Sequence, residues 1–284
     1  MERFAKVTAG TYHLTVPTAD RDGNAVTSTG TPTVSIADGG GTVVHTMNAT
    51  PVAGSLSADV PCANLAALDM YTATWSGTVA TVAQQWRSYV ELASDYLFNL
   101  GDLRAMEPSL ADTSRYTGAM CRAARTAAEQ RFERAAKVAY VPRGRLLSVF
   151  GDGRGRLELA DNVIRRVVSV SIDGVALTAG ELAALTVREW GALDRPSGFY
   201  WEDGAAVSVY YEHGYDYPPE PVRQAAMVLA REYLVRSPLS SRATVEQTDV
   251  GFFRLSIAGG EKWTGIPDVD AAIEQFGRRR PNIG

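Results

Sequence analysis

Apolar and polar positions alternate in short runs through the first third of the chain: residues 11–16, 33–36, 42–46, 55–60, 71–75 and 82–92. A period of two places successive side chains on opposite faces of a strand. Asp22-Gly23-Asn24, Asp38-Gly39-Gly40-Gly41 and Ser76-Gly77 supply turns between the runs. This spacing predicts a small β-sandwich over residues 1–94. Tyr71, Ala73 and Trp75 fall on one face of their run, with Thr72 and Thr74 on the other. Trp75 is read as the core aromatic between two sheets rather than as a carbohydrate-stacking ring.

Beyond residue 95 the period changes. Residues 96–104 read as a strand-like lead into a short helix, and residues 110–136 as a long helix capped by Asp112 or Thr113. The predicted inner stripe of that helix is Ala119, Met120, Ala123, Ala124, Ala127, Ala128, Phe132 and Ala135. Small side chains let another helix approach closely. The expected partner is residues 219–236, where Val222, Ala225, Ala226, Leu229 and Tyr233 share a face. A β region, residues 138–211, is inserted between the two helices. Its strands are expected at 138–149, 156–159, 163–172, 185–188, 198–201 and 206–211, with Asp-Gly turns at 152, 173 and 203. An extended arm, residues 244–257, precedes a last helix capped by Asp268 and running to residue 276, with Arg278, Arg279 and Arg280 after it.

The junction at 207–220 is the most specific stretch. Alternation from Val207 to Tyr211 is broken at His213-Gly214-Tyr215. Pro218-Pro219 cannot extend a ladder but can open a helix, and Glu220 in the first turn complements the helix dipole.

Composition narrows the classes. A chain of 284 residues with 45% hydrophobic and 21% charged residues is ordinary globular material, long enough for two domains. No run of about 18 apolar residues offers a membrane span, and the first residues lack a signal-peptide core. Cys62 and Cys121 are read as reduced structural thiols in separate domains of a protein folded in a cytoplasm. Residues 1–98 carry 4 Lys/Arg against 8 Asp/Glu, and the remainder carries 24 of each, so neither part is a strongly basic nucleic-acid binder. Residues 115–166 hold 12 Lys/Arg against 5 Asp/Glu, read as a solvated face.

Catalytic chemistry finds no footing. His13, His45 and His213 stand in no metal-ligand spacing, and there is no Gly-x-Ser-x-Gly elbow or P-loop. The Gly151-x-Gly153-x-Gly155 run precedes a strand and departs from the dinucleotide fingerprint, so it reads as a hairpin turn. No cofactor, metal or enzymatic activity is expected.

The order of helix, β insertion, Pro-Pro helix and Gly-Ile-Pro capped helix, with the Gly214-Tyr215-Pro218-Pro219-Glu220 junction, resembles the head-to-tail adaptor (head-tail connector) family of tailed phages, in its actinobacteriophage form. The resemblance covers residues 96–284. Residues 1–94 resemble the immunoglobulin-like modules attached to many phage structural proteins, so the expectation is an α+β protein of two domains, an immunoglobulin-like β-sandwich accessory module over 1–94 followed by a connector domain over 95–284. The adaptor resemblance implies that this second domain is mainly helical with an inserted β region. It further implies a non-enzymatic virion protein of the neck, made in the bacterial host cytoplasm. Copies of such a protein form a ring, a dodecamer, beneath the portal, which extends the DNA channel toward the stopper and tail, and genomic DNA passes through the lumen without sequence readout. Phe252, Phe253, Trp263, Arg278, Arg279 and Arg280 are the expected subunit or portal interface. The alternative is a surface-binding virion protein in which the sandwich recognises a receptor or glycan.

Overall fold

The computed structural model describes residues 1–20, 22–235 and 263–277, and residues 245–248 and 251–254 by their backbone alone. In chain order the elements are β1 (Glu2–Ala5), β2 (Thr11–Pro17), β3 (Thr29–Ala37), β4 (Val43–Asn48), β5 (Thr50–Val52), β6 (Ser55–Pro61), β7 (Met70–Val79) and β8 (Val82–Ala93). Helices α1 (Leu100–Ala105) and α2 (Gly118–Ala136) follow, then β9 (Arg143–Phe150), β10 (Arg156–Glu158), β11 (Ile164–Ile172) and β12 (Val175–Ala176). After α3 (Ala179–Ala183) come β13 (Thr186–Arg188), β14 (Ala192–Asp194) and β15 (Ala206–His213). The chain continues through α4 (Glu220–Leu234), β16 (Val245–Thr248), β17 (Gly251–Arg254) and α5 (Pro267–Phe276). The protein is therefore mixed α and β, divided into two compact units: Met1–Asp95 with Val141–Gly214, and Tyr96–Tyr140 with Tyr215–Gly284.

The first unit is built on a sheet in the order β12-β11-β15-β9-β8-β7-β3-β4, antiparallel throughout, with β1 added parallel to β8. A second sheet, β2-β6-β5, shares a core with it. Strict alternation explains the pairing: Tyr12, Leu14 and Val16 of β2 and Leu56, Ala58 and Val60 of β6 are buried, with exposed or half-buried neighbours between them. Trp75 is fully buried there, its indole Nε1–H donating to Ser88 Oγ at 3.0 Å, in agreement with the core reading. The expected turn at Ser76-Gly77 is instead inside β7. The strand runs on to Val79, and the reversal falls at Ala80-Thr81, both with positive φ (47° and 75°). Gly77 reads as punctuation in the sequence, but its missing Cβ makes room for Ser28, whose Oγ would lie 2.3 Å from it.

The β region expected to belong with the helical domain lies in this first unit, because β9 joins β8 at Ala93–Arg143 and Ser94 N–H donates to Pro142 O. A buried ionic triad reinforces the seam. Glu91 accepts from Arg3 Nε at 2.7 Å and from Arg143 Nη1 at 2.8 Å, and its side chain is only 6% exposed. A separate core of Leu157, Leu193, Trp201, Val207, Val209 and Tyr211 sits under the small sheet β10-β14-β13 and the strands around β15. Residues 198–201, expected as a strand, form a loop tied to 153–154 by Gly153 N–H to Trp201 O and Trp201 N–H to Arg154 O.

In the second unit α2 packs against α4, and α5 packs against both. Helix α2 starts later than its apolar pattern suggested. Pro108–Ala111 forms a separate 3-10 turn, and the Asp112 carboxylate closes its own turn by accepting from Ser114 and Arg115 backbone N–H. Thr117 is the cap, accepting from Met120 N–H. The inner face is also rotated. Cys121, Ala124, Arg125, Ala128, Glu129, Phe132, Glu133 and Ala136 are buried, whereas Met120, Ala119, Ala123 and Ala127 are exposed. Two charged residues of the stretch read as a solvated face turn inward: Glu129 accepts from Leu97 N–H at 2.8 Å, and Arg125 lies 3.3 Å over the Tyr96 ring. On α4, Val222, Ala225, Ala226 and Leu229 are buried as expected, but Met227 joins them and Tyr233 is 42% exposed. At α5, Pro267 holds the first position, and Asp270 rather than Asp268 closes the preceding loop, accepting from Thr264 N–H and Oγ1–H and Gly265 N–H. Among the described residues no helix is long and apolar enough to cross a membrane.

Candidate functional site

The junction residues do conformational work. Gly214 has φ +106°, and a Cβ there would lie 2.4 Å from the Val141 carbonyl oxygen, so only glycine fits. Its N–H donates to Val163 O. His213 ends β15, is 3% exposed, and its Nδ1 lies 3.3 Å from Asp161 Oδ1. The same carboxylate accepts from Tyr211 Oη at 2.9 Å and pairs with Arg145, and burial together with the Asp161 charge pushes the Tyr211 phenol up. Among the described residues Asp161 is the one carboxylate of this cluster, and no group of three His, Cys, Asp or Glu could hold a metal.

Tyr215 opens the second unit by stacking on Tyr140 at 5.9 Å and 12°. Tyr140 organises this corner. Its N–H donates to Glu133, its Oη–H donates to Phe276 O at 2.9 Å, and its ring meets Phe132. Burial pushes its phenol up. Pro219, at ψ 142°, is the last extended residue before α4, and Glu220 in the first turn accepts from Arg223 and Gln224. Arg223 also reaches Asp102 on α1 at 2.9 Å, and Arg231 pairs with Glu107. The hydrogen bond from Ser109, followed by that from Arg231, holds the Glu107 carboxyl below its usual range.

Against this fixed frame stand rings left in water. Tyr217 is 86% exposed and Trp263 is 49% exposed, with Tyr215 and Tyr233 also out. Arg131 on α2 donates to the Trp263 carbonyl at 3.4 Å and approaches Tyr233 Oη at 3.5 Å, so the Trp263 backbone is held while its ring is available. Of the other expected interface residues, Phe252 and Phe253 lie on β17, whose side chains are outside the described residues. Arg278, Arg279 and Arg280 also lie outside the described residues. Sequence reasoning missed Tyr140 and Arg131, because nothing in local spacing marks which ring or cation a tertiary corner will use.

The first unit offers two further surfaces. Phe150, Trp190, Phe199 and Tyr200 are more than half exposed in the 141–214 segment. A cavity of about 370 Å³ is lined by Asp38, Asp69, Tyr71, Leu146 and Tyr210 among others. Tyr71 and Tyr210 turn their hydroxyls to the Ala67 and Leu68 carbonyls, and burial pushes the Tyr71 phenol up to about 12.

No protein-family profile matches this chain, and no curated protein matches it. Among solved structures it is similar to a chain in the neck of an empty GTA particle, at 14% identity and a TM-score of 0.44, over 66% of this chain and 93% of that one. It is also similar to a chain in the virion of a native gene transfer agent particle, at 16% identity and a TM-score of 0.41, over 58% of this chain and 80% of the other.

Proposed function

We propose that this chain is a structural virion protein, a head-to-tail adaptor whose copies form a ring beneath a portal and extend the DNA channel toward the stopper and tail. The observation that carries this reading is the pairing of a packed helical frame with unburied rings: the Trp263 ring projects from backbone held by Arg131, and Tyr217 is 86% exposed, a combination that suits contact with a neighbouring subunit. The Gly214-Tyr215-Pro218-Pro219-Glu220 junction, with its glycine-only turn, supports the family resemblance at the residues that carry it. In this reading the amino-terminal sandwich is an immunoglobulin-like accessory module, and the arm with Phe252, Phe253 and Trp263, followed by Arg278 to Arg280, docks on the portal or on the next copy. A contact between two different patches of one chain is heterologous, and it closes into a ring when its rotation divides the circle. DNA then passes without base readout. The surface-binding alternative loses its best stacking ring, because Trp75 is fully buried.

Replacing Phe252, Phe253 and Trp263 together with Ser is expected to abolish assembly onto portal-bearing particles while circular dichroism still reports a folded monomer. Electron microscopy of purified necks reads both copy number and neighbours. Particles that lack this chain altogether would end the proposal.

A further inference from the structure

The turn joining β13 to β14 runs against local preference. Trp190 sits at φ 67°, ψ 15°, and Gly191 follows at φ +82°. Two consecutive left-handed residues ordinarily call for Asn-Gly, and a bulky ring in the first position is an outlier that costs stability. The surroundings enforce it. A Cβ on Gly191 would lie 1.8 Å from the Asp161 carbonyl oxygen, and Leu159 N–H donates to Gly191 O at 2.7 Å. Below the turn, Asp194 of β14 accepts from both Arg156 and Arg188, tying three strands together. The indole so displayed is 60% exposed, with Val187 beside it at 41%. The fold therefore holds a strained Trp with most of its surface in water.

The same unit carries a receptor of fitting chemistry. The cavity of about 370 Å³ is roomy enough for an indole, has Tyr71, Tyr210, Leu146 and Val44 for its faces, and has the Asp38 carboxylate as an acceptor, while both oxygens of Asp69 already accept from Gly39 and Met70 N–H. Trp190 of the same chain is not among its lining residues. An indole offers one donor on an apolar body, and Arg156 and Arg188 share the single carboxylate of Asp194, so that cluster keeps a net positive charge to set against a carboxylate-lined opening.

We propose that Trp190 of one copy inserts into this cavity of the next copy, its Nε1–H donating to a carboxylate there, as a heterologous contact between subunits. The inference deepens the ring reading and rests on it for closure: one knob buries too little for a tight dimer, and a closed ring multiplies it.

The test uses the full chain in sedimentation velocity over a concentration series to several hundred micromolar, with wild type, Trp190→Asn and Ala66→Trp. Asn suits the left-handed turn, so Trp190→Asn is expected to keep or raise the melting temperature while weakening self-association at least tenfold. Ala66 is an exposed lining residue, and a Trp there blocks the cavity from outside. Each variant keeps one half of the contact, so an equimolar mixture is expected to recover a dimer that grows no further. Wild-type association unaltered by either variant overturns the knob and leaves the ring reading intact. Variants that each lose association but fail to complement when mixed also overturn it, as does a wild type that stays monomeric over the whole series. The ring reading is decided separately by whether necks contain this chain.

Discussion

Glu91 and Asp194 illustrate how differently one carboxylate can behave in two settings. Glu91 is buried between Arg3 and Arg143, where removing a partner leaves uncompensated charge. Glu91→Gln is expected to destabilise the first unit by about 3 kcal/mol in urea titration, and a loss below about 1 kcal/mol would mean that water reaches the triad. Asp194 sits among arginines more than half exposed, and hydrogen bonds from Arg156 and Arg188 bring its carboxyl down to about 2. Folding favours the ionised form, so its stabilisation is complete above the ordinary carboxylate pKa of about 4 and fades as pH falls toward 2. Asp194→Asn should therefore lower stability at pH 7 by about 0.5–1 kcal/mol and converge with the parent near pH 2. Calorimetry across that range checks it; a gap independent of pH would remove the ion pairs from the explanation.

Elements are joined by positions where sequence and backbone geometry meet, and two glycines separate the causes. Gly10 and Gly214 have nearly the same φ, +103° and +106°, but a Cβ on Gly10 meets nothing within 4 Å while one on Gly214 meets Val141 O at 2.4 Å. Gly10→Ala isolates the conformational cost, roughly 1–3 kcal/mol. Gly214→Ala adds a clash with backbone that cannot swing away, and is expected to exceed it clearly in chemical denaturation. Equal costs would show that the β15 to α4 junction relaxes. At this scale the sequence was readable where periodicity was clean, as in β2, β6 and the Val222–Leu229 stripe of α4. It misled on α2, since an alanine-rich helix looks equally apolar on several faces, and charged Arg125, Glu129 and Glu133 were excluded from the core by default.

For the whole molecule, the alternation of units along the chain changes what a truncation means. Removing residues 1–94 takes away β8 and Glu91, leaving Arg143 without that carboxylate and β9 with β15 as its remaining neighbour. The remainder is expected to keep its helical circular dichroism while amides of β9 and β15 lose hydrogen-exchange protection by at least tenfold. Undiminished protection would show that the 141–214 segment folds without the sandwich. Of the candidate site, the glycine-proline structural motif is legible from residue types alone, because φ limits are local. The corner built by Tyr140, Tyr215 and Phe276 was not, since it unites positions 136 residues apart. Local rules thus determined the strands and helices whose period is clean, as in β2, β6 and α4, and the glycine turn at Gly214, because period and backbone sterics act over a few residues. Tertiary packing alone decided that the inserted strands join the amino-terminal sheet, which charges are buried, and which rings are left in water, because those outcomes depend on hydrogen-bond partners and burial contributed by distant parts of the chain.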